Sequence, residues 1–128
     1  MSAERVVVAR LLAALIEDAA LVRAVHGVYD RRAPRASAPY IEIGEVTASD
    51  WGTKDRAGCE LRIAIRHIAA ARDDGVVAAR IGAVVAALRG ADDGCEIVSA
   101  RIVRARSGYD RQGPWEQLFE IRVRCLAA

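Results

Sequence analysis

Lysine, histidine and aromatic side chains are scarce in this chain. Lys54 is the one lysine among 19 basic residues, so the other 18 are arginine, and there are two histidines and one phenylalanine. The segments with strand character offer no aromatic pair on one exposed face, the device on which single-stranded nucleic acids stack. His26 and His67 have no second His, Cys or carboxylate at a ligand spacing, which argues against a metal site. Cys59, Cys95 and Cys125 are odd in number, far apart and in no Cys-x-x-Cys pair, so they are expected to be reduced, small apolar residues. Gly-x-Ser-x-Gly, a phosphate-binding glycine-rich loop and His-Glu-x-x-His are all missing. A long uncharged apolar run is missing too. Arg5 and Arg10 interrupt the first apolar stretch and Glu17 with Asp18 closes it, so neither a membrane span nor a signal peptide is expected. The reading is of a non-enzymatic protein with no cofactor and no membrane.

What remains is a mixed-charge chain of 128 residues with a formal net charge of +2. That length suits one domain over residues 1–128, able to bury roughly two-thirds of the surface its unfolded chain exposes. With acids and bases interleaved there is no general attraction for polyanions, and any such binding needs a local patch. The arginine excess matches GC-rich codons, and a guanidinium fork also suits interface ion pairs better than an ammonium.

Residues 39–70 organise the rest. Two stretches of period-2 hydrophobicity flank a polar, turn-rich segment, which reads as a long β-hairpin with a loop over residues 48–58. In its second arm Leu61, Ile63 and Ile65 share one face, while Glu60, Arg62 and Arg66 point the other way. The loop is longer than a connection requires and carries Trp51 with Lys54, Asp55 and Arg56.

Before the hairpin, Val8, Leu11, Leu12 and Leu15 recur at helical spacing, and Asp18 is placed to cap a second short helix ending before Gly27. After it, Asp73 and Asp74 read as a cap for a helix on Val77, Ile81, Val84, Val85 and Leu88, closed by Gly90 and interrupted by Gly82. Asp92 and Asp93 read as solvated carboxylates beside a helix end. Residues 95–106 alternate poorly, with Val98, Ala100 and Ile102 against Ile97, Ser99, Arg101 and Val103, as in a strand covered on both faces, partly by another subunit. After a polar turn at residues 107–114, residues 115–125 alternate cleanly: Trp115, Phe119, Ile121, Val123 and Cys125 inward, Glu116, Glu120, Arg122 and Arg124 outward. The expected fold is α+β, a mostly antiparallel sheet of four to five strands with two amphipathic helices packed on one face.

The runs Val28-Tyr29-Asp30-Arg31, Ala38-Pro39-Tyr40-Ile41-Glu42-Ile43-Gly44-Glu45 and Asp50-Trp51-Gly52-Thr53-Lys54 resemble the tail terminator (tail completion) family of long-tailed bacteriophages, especially its relatives in gene transfer agents. The resemblance extends over nearly the whole chain and places a short strand at residues 28–31. It implies a structural ring of six copies that stops tail-tube polymerisation and joins tail to head. The implied partners are the chain itself, the tail tube protein and a neck or stopper protein. DNA passes through the ring without sequence-specific binding. The implied location is the head-proximal tail of a virion or gene transfer agent particle, assembled in the bacterial cytoplasm. On that view Trp51, Lys54, Asp55 and Arg56 contact an axial neighbour, and Arg62, Arg66, Arg122 and Arg124 on the outward strand faces contact the next subunit. The alternatives are another neck component, such as a stopper or connector, and a nucleic-acid-binding α+β module using the strand arginines. Against the last, Glu60, Glu96, Glu116 and Glu120 occupy the same strands and should neutralise much of that surface.

Overall fold

The chain begins with two helices hinged on one carboxylate. Ser2 accepts the Arg5 amide and starts α1 (Ala3–Glu17), and Asp18 ends it. The Asp18 side chain then accepts the Leu21 amide and opens α2 (Ala19–Ala24), satisfying a donor that a helix start otherwise leaves orphaned. The same carboxylate pairs with Arg80 of α3 (Val76–Ala86), tying the three helices together. These elements come from a computed structural model, which describes residues 2–31, 36–72, 75–109 and 113–127.

Six strands form one sheet in the order β1-β2-β3-β6-β5-β4. They are β1 (Val28–Asp30), β2 (Tyr40–Asp50), β3 (Gly58–Ala69), β4 (Gly90–Asp92), β5 (Cys95–Tyr109) and β6 (Trp115–Ala127). Only β1 and β2 run parallel. The register lines up Leu61, Val123 and Ala100 across β3, β6 and β5, and below them Ile63, Ile121 and Ile102. Against these rows lie Val7, Leu11 and Leu15 of α1 and Ile81 and Val85 of α3, in one continuous apolar cluster. Each fully buried Leu or Ile contributes about 2 kcal/mol relative to exposure, so this layer supplies the driving force for the fold. The expected α+β architecture holds, with a six-stranded sheet and a third, short helix.

The hairpin strands run further than their polar ends advertise. Ala48, Ser49 and Asp50 pair with Leu61, Glu60 and Cys59, so the loop is residues 51–57 and not 48–58. Likewise β5 runs to Tyr109, so residues 107–109 are strand, and β6 continues to Ala127. The irregular alternation of β5 coincides with two bulges. Register shifts at Ile97/Ser99 and Ile102/Arg104 each insert a residue, which returns Ile97, Ala100 and Ile102 to the helix side. Asp92 and Asp93 flank no helix end. Asp92 closes β4, and Asp93-Gly94, with φ of 48° and 78°, make the two-residue turn into β5. The caps expected at Asp73 and Asp74 lie outside the described residues. Gly75, with φ of 96°, precedes α3 and makes no side-chain cap bond.

Candidate functional site

The β2–β3 turn is a tight structure held to the neighbouring strand ends. Trp51 donates its amide to the Gly58 carbonyl at 3.1 Å, and Thr53 to the Arg56 carbonyl at 2.7 Å. Gly58 has no substitute here, since a Cβ would lie 2.6 Å from the Cys125 carbonyl oxygen. Arg56 reaches out of the turn, donating to the Ala127 carbonyl and pairing with Glu96 at 2.9 Å. Lys54 and Asp55 at the tip stay exposed. The turn therefore presents a hydrogen-bonded tip, with its arginine committed to anchoring.

Trp51 is half-buried, and the Arg124 guanidinium lies 5.3 Å from its ring centroid. That contact leads onto the outward face of the sheet. There Glu60 gathers three cations: Arg124 Nε at 2.9 Å, Arg62 at 3.7 Å and Arg122 at 4.0 Å. The hydrogen bond from Arg124, with Arg62 and Arg122 close by, holds the Glu60 carboxyl below the usual carboxylate range. Further along, Arg66 bridges Glu116 and the nearly buried Glu42, so its charge is matched twice.

Cross-strand ion pairs thus reach Arg66, Arg124 and Arg62, but positive charge is in excess in the middle of the sheet. Arg62, Arg122 and Arg101 stand directly opposite one another on β3, β6 and β5. Like charges facing across strands are destabilising, and here only Glu60 and Glu120, the latter 3.4 Å from Arg62, offset them. The Arg122 side chain is 18 % exposed, and its Nε is buried without a hydrogen-bond partner. Burial first, then Arg124 and Arg101, lower the Arg122 pKa, yet a guanidinium stays charged at any physiological pH. Of the eight residues singled out from sequence, Arg62, Arg122 and Arg124 converge on Glu60, and Trp51 joins them through Arg124. Lys54, Asp55 and Arg56 sit at the adjoining tip, and Arg66 belongs to a separate ion-pair group. Arg101, read from sequence only as one of the strand arginines, is placed in this row by the register of β5 on β6.

On the opposite, helix-facing side the three distant cysteines meet. Cys59 and Cys125 are cross-strand partners with sulfurs 3.1 Å apart, and Cys95 lines the same cavity of about 250 Å³. Burial pushes the Cys95 and Cys125 thiols up to about 11, so both are neutral packing groups near pH 7 and not nucleophiles. His67 is buried and bonds Gln117 at 2.8 Å, while exposed His26 bonds Ser37. Among the described residues, no three His, Cys, Asp or Glu side chains gather as a metal site. No helix there is long and apolar enough to cross a membrane.

A charged sheet face and a hydrogen-bonded hairpin tip thus lie together on one α+β domain. The chain matches the family described as Tail completion protein gp17 over residues 9–128, and it belongs to that family, whose members are structural proteins. Among solved structures, a chain in the virion of a native gene transfer agent particle is similar over 94 % of both chains, at 26 % identity and a TM-score of 0.73. Among curated proteins none matches.

Proposed function

We propose that this protein is the terminator of a phage-like tail. Six copies close into a ring on the last tube ring, cover the surface that another tube subunit would need, and present their far side to the neck protein. Family membership over residues 9–128 carries this reading, and similarity to a chain of a gene transfer agent virion supports it. The physical requirement is a head-to-tail contact that closes after a fixed rotation, plus two further faces for different partners. No energy source or cofactor enters, because an occupied polymer end cannot grow. DNA passes through the lumen without sequence-specific contact, and the protein resides at the head-proximal end of the tail.

Within that reading the tip with Trp51, Lys54 and Asp55 meets an axial neighbour, and Arg56 holds the tip in place through Ala127 and Glu96. Arg122, whose one carboxylate partner is 4.0 Å away, and its neighbour Arg62 await carboxylates from the next subunit, while Arg66 and Arg124 order the face around them. The test is electron microscopy of particles made without this protein. Overlong headless tails are the expected result. Full heads without tails would place the protein in the neck instead, as a stopper or connector.

A further inference from the structure

Both flanks of the sheet leave a stretch of strand without a neighbour. On one side β1 pairs only with residues 41–43 of β2, so residues 44–50 have no strand beyond them among the described residues. On the other side β4 pairs only with residues 95–97 of β5, so residues 98–109 are open in the same sense. An open edge is a row of unpaired amide and carbonyl groups, a template for another strand. The two edges are oppositely charged. Residues 44–50 carry Glu45 and Asp50 and no base, whereas residues 98–109 carry Arg101, Arg104 and Arg106 and no acid. Glu45, Asp50, Arg101, Arg104 and Arg106 are all exposed, and none forms an ion pair with another described residue.

We propose that residues 44–50 of β2 in one copy pair with residues 98–109 of β5 in the next, making the sheet continuous across the subunit boundary. The charges select this pairing against the alternatives. Two β5 edges brought together would set arginine against arginine, and two β2 edges would set acid against acid; like charges opposite one another are unfavourable. Only the unlike pair remains, and it joins two different surfaces, which generates a head-to-tail contact and not a symmetric dimer. The apolar side chains exposed along the β5 edge fit the same occupant: Val98 is 39 % and Tyr109 67 % exposed, near the two ends of the open stretch. A seven-residue strand spans roughly 23 Å, so residues 44–50 laid beside this edge would cover one of the two. The inference rests on the ring reading above and specifies which surfaces of the ring subunit meet.

Two measurements test it together. Native mass spectrometry of the wild type, alone and added to tail tubes, reads assembly, and hydrogen–deuterium exchange on the same samples reads which amides gain protection. Gain of protection at residues 44–50 and within residues 98–109 on assembly is the expected result. The double variants Glu45→Arg/Asp50→Arg and Arg104→Glu/Arg106→Glu should each weaken assembly at least tenfold, and all four substitutions in one chain should restore it, because both edges have then exchanged sign. Assembly without protection at these edges, or unaffected by reversal, overturns the edge pairing and leaves the ring reading standing. A chain that never assembles, even on tubes, removes both.

Discussion

Arg124 serves Trp51 and Glu60 at once: its guanidinium lies 5.3 Å from the indole centroid while its Nε donates to the Glu60 carboxylate at 2.9 Å. One face of the indole is thereby occupied by the protein's own cation. Trp51 is in this way both a packing residue and a half-exposed aromatic at the foot of the hairpin tip, the position an interface anchor takes.

Replacing Trp51 separates the two roles. A cation–π contact at a partly exposed site is worth about 0.5–1 kcal/mol, so Trp51→Ala should leave the domain folded with a melting temperature a few degrees lower. Tail completion or head joining should fail far more severely than that loss of stability accounts for. Circular-dichroism melts give the first quantity, and counts of tailed particles in a complementation assay give the second. Normal particle counts from a folded Trp51→Ala protein would reduce Trp51 to packing.

Arg122 tests whether the row of arginines is kept for a partner. Its neighbours in register are Arg62 and Arg101, and its Nε is buried without an acceptor. A methionine would keep the aliphatic packing and remove both the like-charge opposition and the orphaned donor. Arg122→Met should therefore raise the melting temperature of the isolated chain while weakening assembly, the trade expected when a surface is held for binding at a cost in stability. Thermal melts and native mass spectrometry measure the two effects. A variant that melts lower and assembles normally would show that the row serves the fold alone.

Gly82 gives a simpler expectation. It lies inside α3, where glycine costs about 1 kcal/mol relative to alanine, and close packing on the sheet would be the reason to keep it. The structure shows no such approach: a Cβ there would meet Ile102 Cδ1 at 3.9 Å, an ordinary contact. Gly82→Ala should stabilise the chain by about 0.5–1 kcal/mol in urea titrations. Destabilisation would mean that α3 sits closer to the sheet in solution.

Much of this architecture was legible from hydrophobic period alone. The alternation of β3 and β6 identified inward and outward residues, and Asp18 was recognisable as a cap because a carboxylate before an apolar helical stripe has an orphan amide to serve. The missed features share one cause, which is that pairing partners are distant in sequence. Residues 48–50 look like a turn by composition and become strand only because Leu61, Glu60 and Cys59 stand opposite. The β4 strand is three residues long, and its signal was the Asp93-Gly94 dipeptide, a hairpin signature hidden by reading the paired aspartates as solvated. The Arg62–Arg122–Arg101 row and the three-cysteine cluster exist only through register. No local pattern could bring residues 59, 95 and 125 into one cavity.

The buried thiols make a prediction about alkaline pH. Burial raises the Cys95 and Cys125 thiols from 9.0 to about 11. Between those values the unfolded chain releases both protons while the folded chain keeps them, so the unfolded state binds fewer protons and stability falls as pH rises. The contribution is complete below about pH 9 and is lost by about pH 11. Urea unfolding from pH 8 to 10.5 should show this decline, and Cys95→Ala/Cys125→Ala should start lower through lost packing yet decline less steeply. The same neutrality predicts that both thiols resist alkylation in the folded protein at pH 8 and react once urea unfolds it. Parallel slopes for the wild type and the double variant would mean that these thiols ionise as they do in water, and that the packing around them is looser than the structure describes.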